Sequence, residues 1–406
     1  MSERKHSFGL IIRVIIAIIL GILVGLYLPS VVTQIVYTGA SIFSEWLNFI
    51  IPLMILAFVT KGIADLDEGA GKLLMITLVI AYASTLIGGS ASWMMSSSIF
   101  PSFITSDLTQ TIQETSGKGV ESLFNLGLEP IIPVTGALIF AFMMGLCISM
   151  LRKRESGKVL YGALSEFYDI ITVVLNKAIV PFLPLFILGN FANMAYAGSV
   201  FAILGVFWRI FICIIALHLI YTIVLFVVTG LYRHQSPWQW MKNQIPGYMT
   251  AVGTQSSAAT IPTNLECAKN NGTTRQVREF VIPLCSNVHM PGSMITITAC
   301  CYTVLMMYGM PNDYLLMLRF IMILGVAMVA SPGAPGGSIM TALPFLPVIG
   351  IDSNGPLASL LISLYLAQDS FGTAANISGD NALALIIDKI YHRHIIKKKP
   401  TKEDVE

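Results

Sequence analysis

Apolar runs with almost no charge recur along the whole chain. Most are about 20 residues or longer, the length a helix needs to cross the hydrocarbon core of a bilayer. Spans are expected at 9–29, 35–62, 73–97, 131–151, 159–194 and 198–231, with Pro52, Pro133, Pro181 and Pro184 as kinks that neighbouring helices tolerate in lipid. The opening MSERKHSFGL leads into the first run without a small-residue cleavage pattern, so that run reads as a span and residues 1–8 stay attached. Segment 98–130 is polar and rich in Ser, Thr and Gly, which suits an outward-facing loop.

After residue 236 the pattern changes. Segment 244–268 is moderately apolar but broken by Ser256, Ser257 and Pro262, and reads as a re-entrant hairpin. The run 279–307 is long enough to cross but contains CSNVHMPGS, whose Asn287, His289, Pro291 and Gly292 would interrupt a helix. Residues 314–349 repeat the hairpin form around ASPGAPGGS, and 355–388 repeat the broken span, with its interruption expected near ANISGD. The sum is an all-α polytopic membrane protein with eight transmembrane helices and two re-entrant helical hairpins. Paired Gly/Pro-interrupted segments in corresponding places are a sequence pointer to a secondary-transporter binding site. Unwound backbone at membrane depth survives only where protein buries it or a polar cavity meets it.

Composition agrees: 55% of the 406 residues are hydrophobic and 11% charged, with a mean hydropathy of +0.75. The net charge of +2 gains meaning only when mapped. Basic clusters at Arg4/Lys5, Lys61/Lys72, Arg152–Lys158, Arg233/Lys242, Lys269/Arg275/Arg278 and Lys397–Lys399 alternate with connections nearly free of cations, Lys118 being the exception. The positive-inside rule makes the basic set cytoplasmic and places both termini there. These short patches lack interleaved aromatics, so nucleic acid is not indicated. The six cysteines have no C-x-x-C spacing and suggest packing rather than disulfides or zinc. No phosphate loop, H-E-x-x-H or G-x-S-x-G context appears, which argues against an enzyme and against an organic cofactor.

The candidate chemistry centres on AQDSFGTAANISGDNALALIID. On a helix Asp369, Thr373, Asn376 and Asp380 follow i, i+4, i+7, i+11 and share one face. An ionised carboxylate near the bilayer centre costs about 2.5–3.5 kcal/mol on insertion scales. Lys389, at the cytoplasmic end, is the nearest cation, so the partners are expected to be mobile: a substrate ammonium and sodium. The alternative for Asp380 is a helix-capping role after Gly379, and for Asp388 a brace beside Lys389. Ser256, Ser257 and Thr260 at the first hairpin tip could bind a carboxylate or serve close packing. In ASPGAPGGS, Gly333, Gly336 and Gly337 suit a gate or a flexible loop. His289 could carry a proton or remain a neutral hydrogen-bonding group.

At these residues the chain resembles the dicarboxylate/amino acid:cation symporter family, the glutamate-transporter fold. TQSSAATIPTNLECAKNNG is similar to its first hairpin, SPGAPGGSIM to its second, and DSFGTAANISGD to its last-helix D-x-x-R-T-x-x-N-x-x-x-D pattern, in that order along the whole chain. The likeness is nearest to the bacterial sodium/serine-threonine branch. It implies inverted repeats, an elevator mechanism, a homotrimer and the bacterial inner membrane. It also implies scaffold segments 1–72 and 98–194, transport segments 73–97 and 195–395, and a cytoplasmic tail 396–406. By motif position Asp369 would bind the substrate amino group, Asn376 its backbone polar groups, and Ser256 and Ser257 would help at the first tip. Thr373 and Gly372 would face the substrate side chain, with Gly333 and Pro335 closing from the second tip. Asp380 with carbonyls near Cys285, His289 and Asn376 would hold one sodium; carbonyls near Ser331 with Asn287 would hold a second.

Three departures refine this. Gly372 replaces the arginine that grips an acidic side chain and Gln255 the alternative hairpin arginine, so a substrate side-chain carboxylate would be buried without a counter-ion. A neutral amino acid is therefore expected, in a pocket with room for something bulkier than serine or threonine. The N-M-D motif reads His289-Met290-Pro291, so a third sodium site should be missing or altered although Tyr82, Ser84 and Thr85 offer hydroxyls. Tyr365 stands where acidic-amino-acid transporters often carry an aspartate. Proton coupling through His289, a dicarboxylate substrate and a non-transporting sensor remain as alternatives.

Overall fold

The computed structural model describes residues 10–65, 71–115, 118–151, 155–328, 331, 335–353, 355–397 and 404–405. Within them the first half comprises helices α1 (Leu10–Tyr27), α2 (Ser30–Asp65), α3 (Gly71–Ile99), α4 (Ser106–Thr115), α5 (Val134–Leu151), α6 (Glu155–Val174), α7 (Leu183–Ala197) and α8 (Val200–Arg233). The second half comprises α9 (Trp238–Thr254), α10 (Ser257–Asn270), α11 (Arg275–Val288), α12 (Pro291–Met307), α13 (Tyr314–Met328), α14 (Gly337–Ala342), α15 (Pro356–Leu366) and α16 (Asp369–Ile390).

Among the described residues five helical stretches are long and apolar enough to cross a membrane: Ser30–Lys61, Lys72–Ser102, Gly157–Ile179, Val200–Arg233 and Arg275–Met307. Large apolar side chains stay exposed along α1, α5, α6 and α8, among them Ile19, Ile139, Val159 and Ile212. In water such faces would demand a partner; in lipid they meet a matching solvent.

Two helix groups emerge from the packing. α1 lies along α7, and α2 packs on α5, α6 and α7. In the second group α3 packs on α12 and α13, and α8, α9, α10, α11 and α12 surround α16. The groups touch mainly where α15 and α8 meet α7. α12 and α16 form the enclosed centre, with every residue of α12 buried except Met306.

Three expectations are corrected. The run 159–194 is not one kinked span: α6 ends in a π-helical turn at Leu175–Ile179, and α7 starts afresh at Leu183 with Pro184 in its first turn. Proline has no N–H to give, so a helix start is where it costs least. The interruption in 355–388 falls at Ala367–Gln368 and not at ANISGD, through which α16 runs unbroken. Asp369 consequently opens a helix. Likewise Pro262 lies inside α10, and the first tip is only Gln255–Ser256.

Candidate functional site

At the first tip Gln255 takes a left-handed backbone (φ 55°) that ends α9, and extended Ser256 accepts the Ala259 N–H through Oγ at 3.2 Å to start α10. Ser256 therefore caps a helix, while Ser257 is buried as its first residue. The tip reaches α16 through Gln255, whose Nε2 donates to Ser370 Oγ at 3.1 Å, one residue past Asp369. No hydrogen bond joins Ser256 or Ser257 to Asp369 among the described residues. Lower down, Gln244, Asn264, Asn271 and Asn381 form an amide ladder that ties α9 and α10 to α16: Gln244 Nε2 donates to Asn264 Oδ1 (3.0 Å) and Asn271 Nδ2 to Asn381 Oδ1 (3.1 Å). None of these four was singled out from sequence.

Asp369 is 4% exposed. Its Oδ2 accepts the backbone N–H of Gly336 (2.7 Å) and its Oδ1 the hydroxyl of Tyr365 (2.8 Å). Both donors are neutral, and no lysine or arginine pairs with it among the described residues. Gly336 adopts φ 74° immediately before α14, which turns its N–H onto the carboxylate. Pro335 precedes it, half-buried; Gly333 lies outside the described residues.

Asn376 does something motif position did not suggest. Its Oδ1 accepts the N–H of Gly292 (2.8 Å) and of Ser293 (3.4 Å), closing the N-terminus of α12, and its Nδ2 donates to Ser293 Oγ (3.0 Å). Ser293 Oγ also receives Ser338 Oγ at 3.2 Å and lies 3.3 Å from the Tyr365 hydroxyl. One serine thus joins α12, α14, α15 and α16 beside Asp369. Thr373 is buried on the same face.

A Cβ on Gly372 would meet Thr296 Oγ1 at 3.4 Å and the Gly292 backbone at 3.5 Å. Gly372 therefore faces α12, and the space left by its missing side chain is bounded by that helix; the expected extra room beside the substrate is corrected to a helix crossing. His218 closes the far side, its Nε2 3.0 Å from both Gly292 O and Thr296 Oγ1.

The α11/α12 break carries the second carboxylate. His289 ends α11, its N–H donating to Cys285 O at 2.9 Å. Its Nδ1 lies 2.8 Å from Asp380 Oδ1 and its Nε2 2.9 Å from Ser84 Oγ. Asp380 sits mid-helix, which overturns the capping alternative, and its Oδ2 is buried with no hydrogen-bond partner among the described residues. Ser84 Oγ is 2.9 Å from the Tyr221 hydroxyl, which donates to Ser84 O at 2.6 Å. The other α3 hydroxyls are also committed: Thr85 receives Met290 N–H (3.3 Å) and Tyr82 donates to Met322 O (3.1 Å). Asn287, by contrast, is exposed and Ser331 is buried, and no hydrogen bond links them among the described residues. Asp388 is a brace, though not with Lys389: Oδ2 pairs with Arg233 (3.2 Å) and Oδ1 accepts the Thr274 hydroxyl (2.6 Å).

Chemically the arrangement offers polar ligands held in a buried setting. No group of three His, Cys, Asp or Glu positioned for a transition metal occurs among the described residues. A lone carboxylate oxygen beside a helix break instead offers hard oxygen ligands, which suit a cation such as sodium. A family model described as the sodium:dicarboxylate symporter family matches residues 10–390. The serine/threonine transporters SstT of Acinetobacter baumannii strains AYE and AB307-0294 are each 25% identical over 399 residues, 96% of this chain and 98% of theirs.

Proposed function

The chain belongs to the sodium:dicarboxylate symporter family, and from that premise we propose that it imports a neutral amino acid, serine- or threonine-like, together with sodium. It is a multi-pass membrane protein and a cation-coupled symporter rather than an enzyme. The observation that carries the amino-acid reading is Asp369: a buried carboxylate whose partners among the described residues, the Tyr365 hydroxyl, the Gly336 N–H and the Thr373 side chain, are all uncharged. A buried charge without a counter-charge is costly. A substrate ammonium supplies the missing charge, whereas a dicarboxylate would add repulsion. Serine and threonine themselves come from the names of the SstT relatives.

The two helix groups support an elevator in which the α3 and α8–α16 group carries the substrate past a scaffold of α1, α2 and α5–α7. The homotrimer, the bacterial inner membrane and cytoplasmic termini belong to the same proposal. Asp369, Thr373 and Asn376 would line the substrate site between the two tips, and Asp380 with carbonyls of the α11/α12 break would ligate sodium.

Uptake into proteoliposomes across an amino-acid panel, with imposed sodium or proton gradients at two pH values, tests this reading. Sodium-driven uptake of neutral amino acids is expected. Uptake driven by a proton gradient alone overturns the coupling ion, preference for succinate-like acids overturns the substrate, and binding without flux makes the protein a sensor.

A further inference from the structure

A proton assignment with a neutral histidine fits the buried chain from α8 to α16. The Tyr221 hydroxyl donates to Ser84 O, the Ser84 hydroxyl donates to His289 Nε2, and His289 Nδ1–H donates to Asp380 Oδ1. His289 is then neutral, in the Nδ1–H tautomer, and every polar atom of the chain has a partner except Asp380 Oδ2. Three side chains thus fix one carboxylate oxygen and leave the other without a partner among the described residues, with His289 and Asp380 both 0% exposed.

The helix beside them is cut to fit. A Cβ on Gly379 would stand 2.7 Å from His289 Cε1, so the ring can come this close to α16 only because residue 379 has no side chain. Glycine inside a buried helix is otherwise a cost of about 1 kcal/mol against alanine. Here it brings the imidazole to the rotamer that meets the neighbouring Asp380.

We propose that His289, held by Ser84 and Tyr221, is a positioning residue that locks the Asp380 side chain so that its free oxygen faces the coupled cation. The inference rests on the sodium-symporter reading. It assigns the ring itself a role beyond its backbone carbonyl and commits one of the α3 hydroxyls, Ser84, to the ring. It also makes cation affinity depend on α3 and α8 being seated on α16. Partners that orient a metal ligand typically govern affinity by roughly ten- to a hundred-fold.

The test is sodium-induced thermal stabilisation of the purified full-length protein without substrate, choline balancing ionic strength. Ser84→Ala and Tyr221→Phe each remove one link and spare the fold. His289→Asn keeps a donor at the Nδ1 position but loses Ser84; His289→Ala loses both. The half-saturating sodium concentration should rise roughly ten- to a hundred-fold in His289→Ala and less in the other three, while amino-acid affinity at saturating sodium stays near the parent. Parental half-saturation in folded Ser84→Ala, Tyr221→Phe and His289→Asn overturns the positioning role, as does an equal loss with sodium and with choline. That failure is distinct from failure of the transport reading, which appears as absent sodium-driven uptake in the unmutated protein.

Discussion

The backbone N–H of Gly336 donates to Asp369 Oδ2 at 2.7 Å, so the second helical pair is fastened to the carboxylate that a substrate ammonium would need. Without substrate, hairpin and hydroxyl share the charge between them; an arriving ammonium adds a counter-charge to donors already in place. Asp369→Asn removes that charge while retaining size. Calorimetric titration should show amino-acid affinity falling by about 3 kcal/mol or more, roughly a hundred-fold, and the substrate-free melting temperature should hardly move. Retained affinity would remove the ammonium contact.

Asn376 holds a helix end, and that role separates experimentally from its proposed contact with substrate. Asn376→Ala leaves the Gly292 N–H unpaired in a buried site, a loss of roughly 1–3 kcal/mol, so the melting temperature should drop even with no substrate present. Asn376→Asp preserves an acceptor for the N–H and should recover most of that stability. A residue that only touched substrate would show no change in the substrate-free melt.

The α12/α16 crossing makes two glycines unequal. A Cβ on Gly292 would lie 2.2 Å from the Gly372 carbonyl, whereas one on Gly372 finds ordinary contact with Thr296. Gly292→Ala should therefore force the helices apart, at about 1–3 kcal/mol or more, and lower both stability and uptake. Gly372→Ala should be neutral or stabilising, since alanine gains about 1 kcal/mol in a helix, with amino-acid selectivity unchanged. Denaturation of the two single variants side by side decides it.

Sequence carried the architecture far. Apolar runs marked α1, α2, α3, α5 and α8, and the breaks near Ser256 and around His289–Pro291 were visible because serine and proline change the local backbone, although Pro262, counted with the first break, lies inside α10. The last interruption was misplaced because Ala367 and Gln368 carry no breaking signal, while Gly379, which does, is retained inside α16 to admit the His289 ring. Ser293 and Ser338 escaped notice, as did the bond Tyr365 makes, for another reason: Tyr365 meets Asp369, Ser293 meets Asn376 and Ser338 meets Ser293 from three separate elements, and periodicity within one helix says nothing of what another brings. For the same reason Asp388 was paired with its sequence neighbour Lys389, when its cation is Arg233 at the end of α8.

That distant pair yields a last expectation. Arg233 Nη1 bonds both Asp388 Oδ2 and the Leu385 carbonyl (2.7 Å), while Thr274, between α10 and α11, holds the other carboxylate oxygen. Three chain segments meet on a side chain only 1% exposed. Removing one partner of a buried pair strands the other, so Arg233→Met should cost about 3–5 kcal/mol, lessened by the Thr274 donors that remain. Asp388→Asn added to it removes the stranded charge and should recover part of the loss. Neither change touches Asp369 or Asp380, so the protein that stays folded should bind amino acid and sodium with parental affinity. Affinity lost at unchanged melting temperature would instead make this knot part of the binding machinery, because only the position of α16, and not its survival, would then have changed.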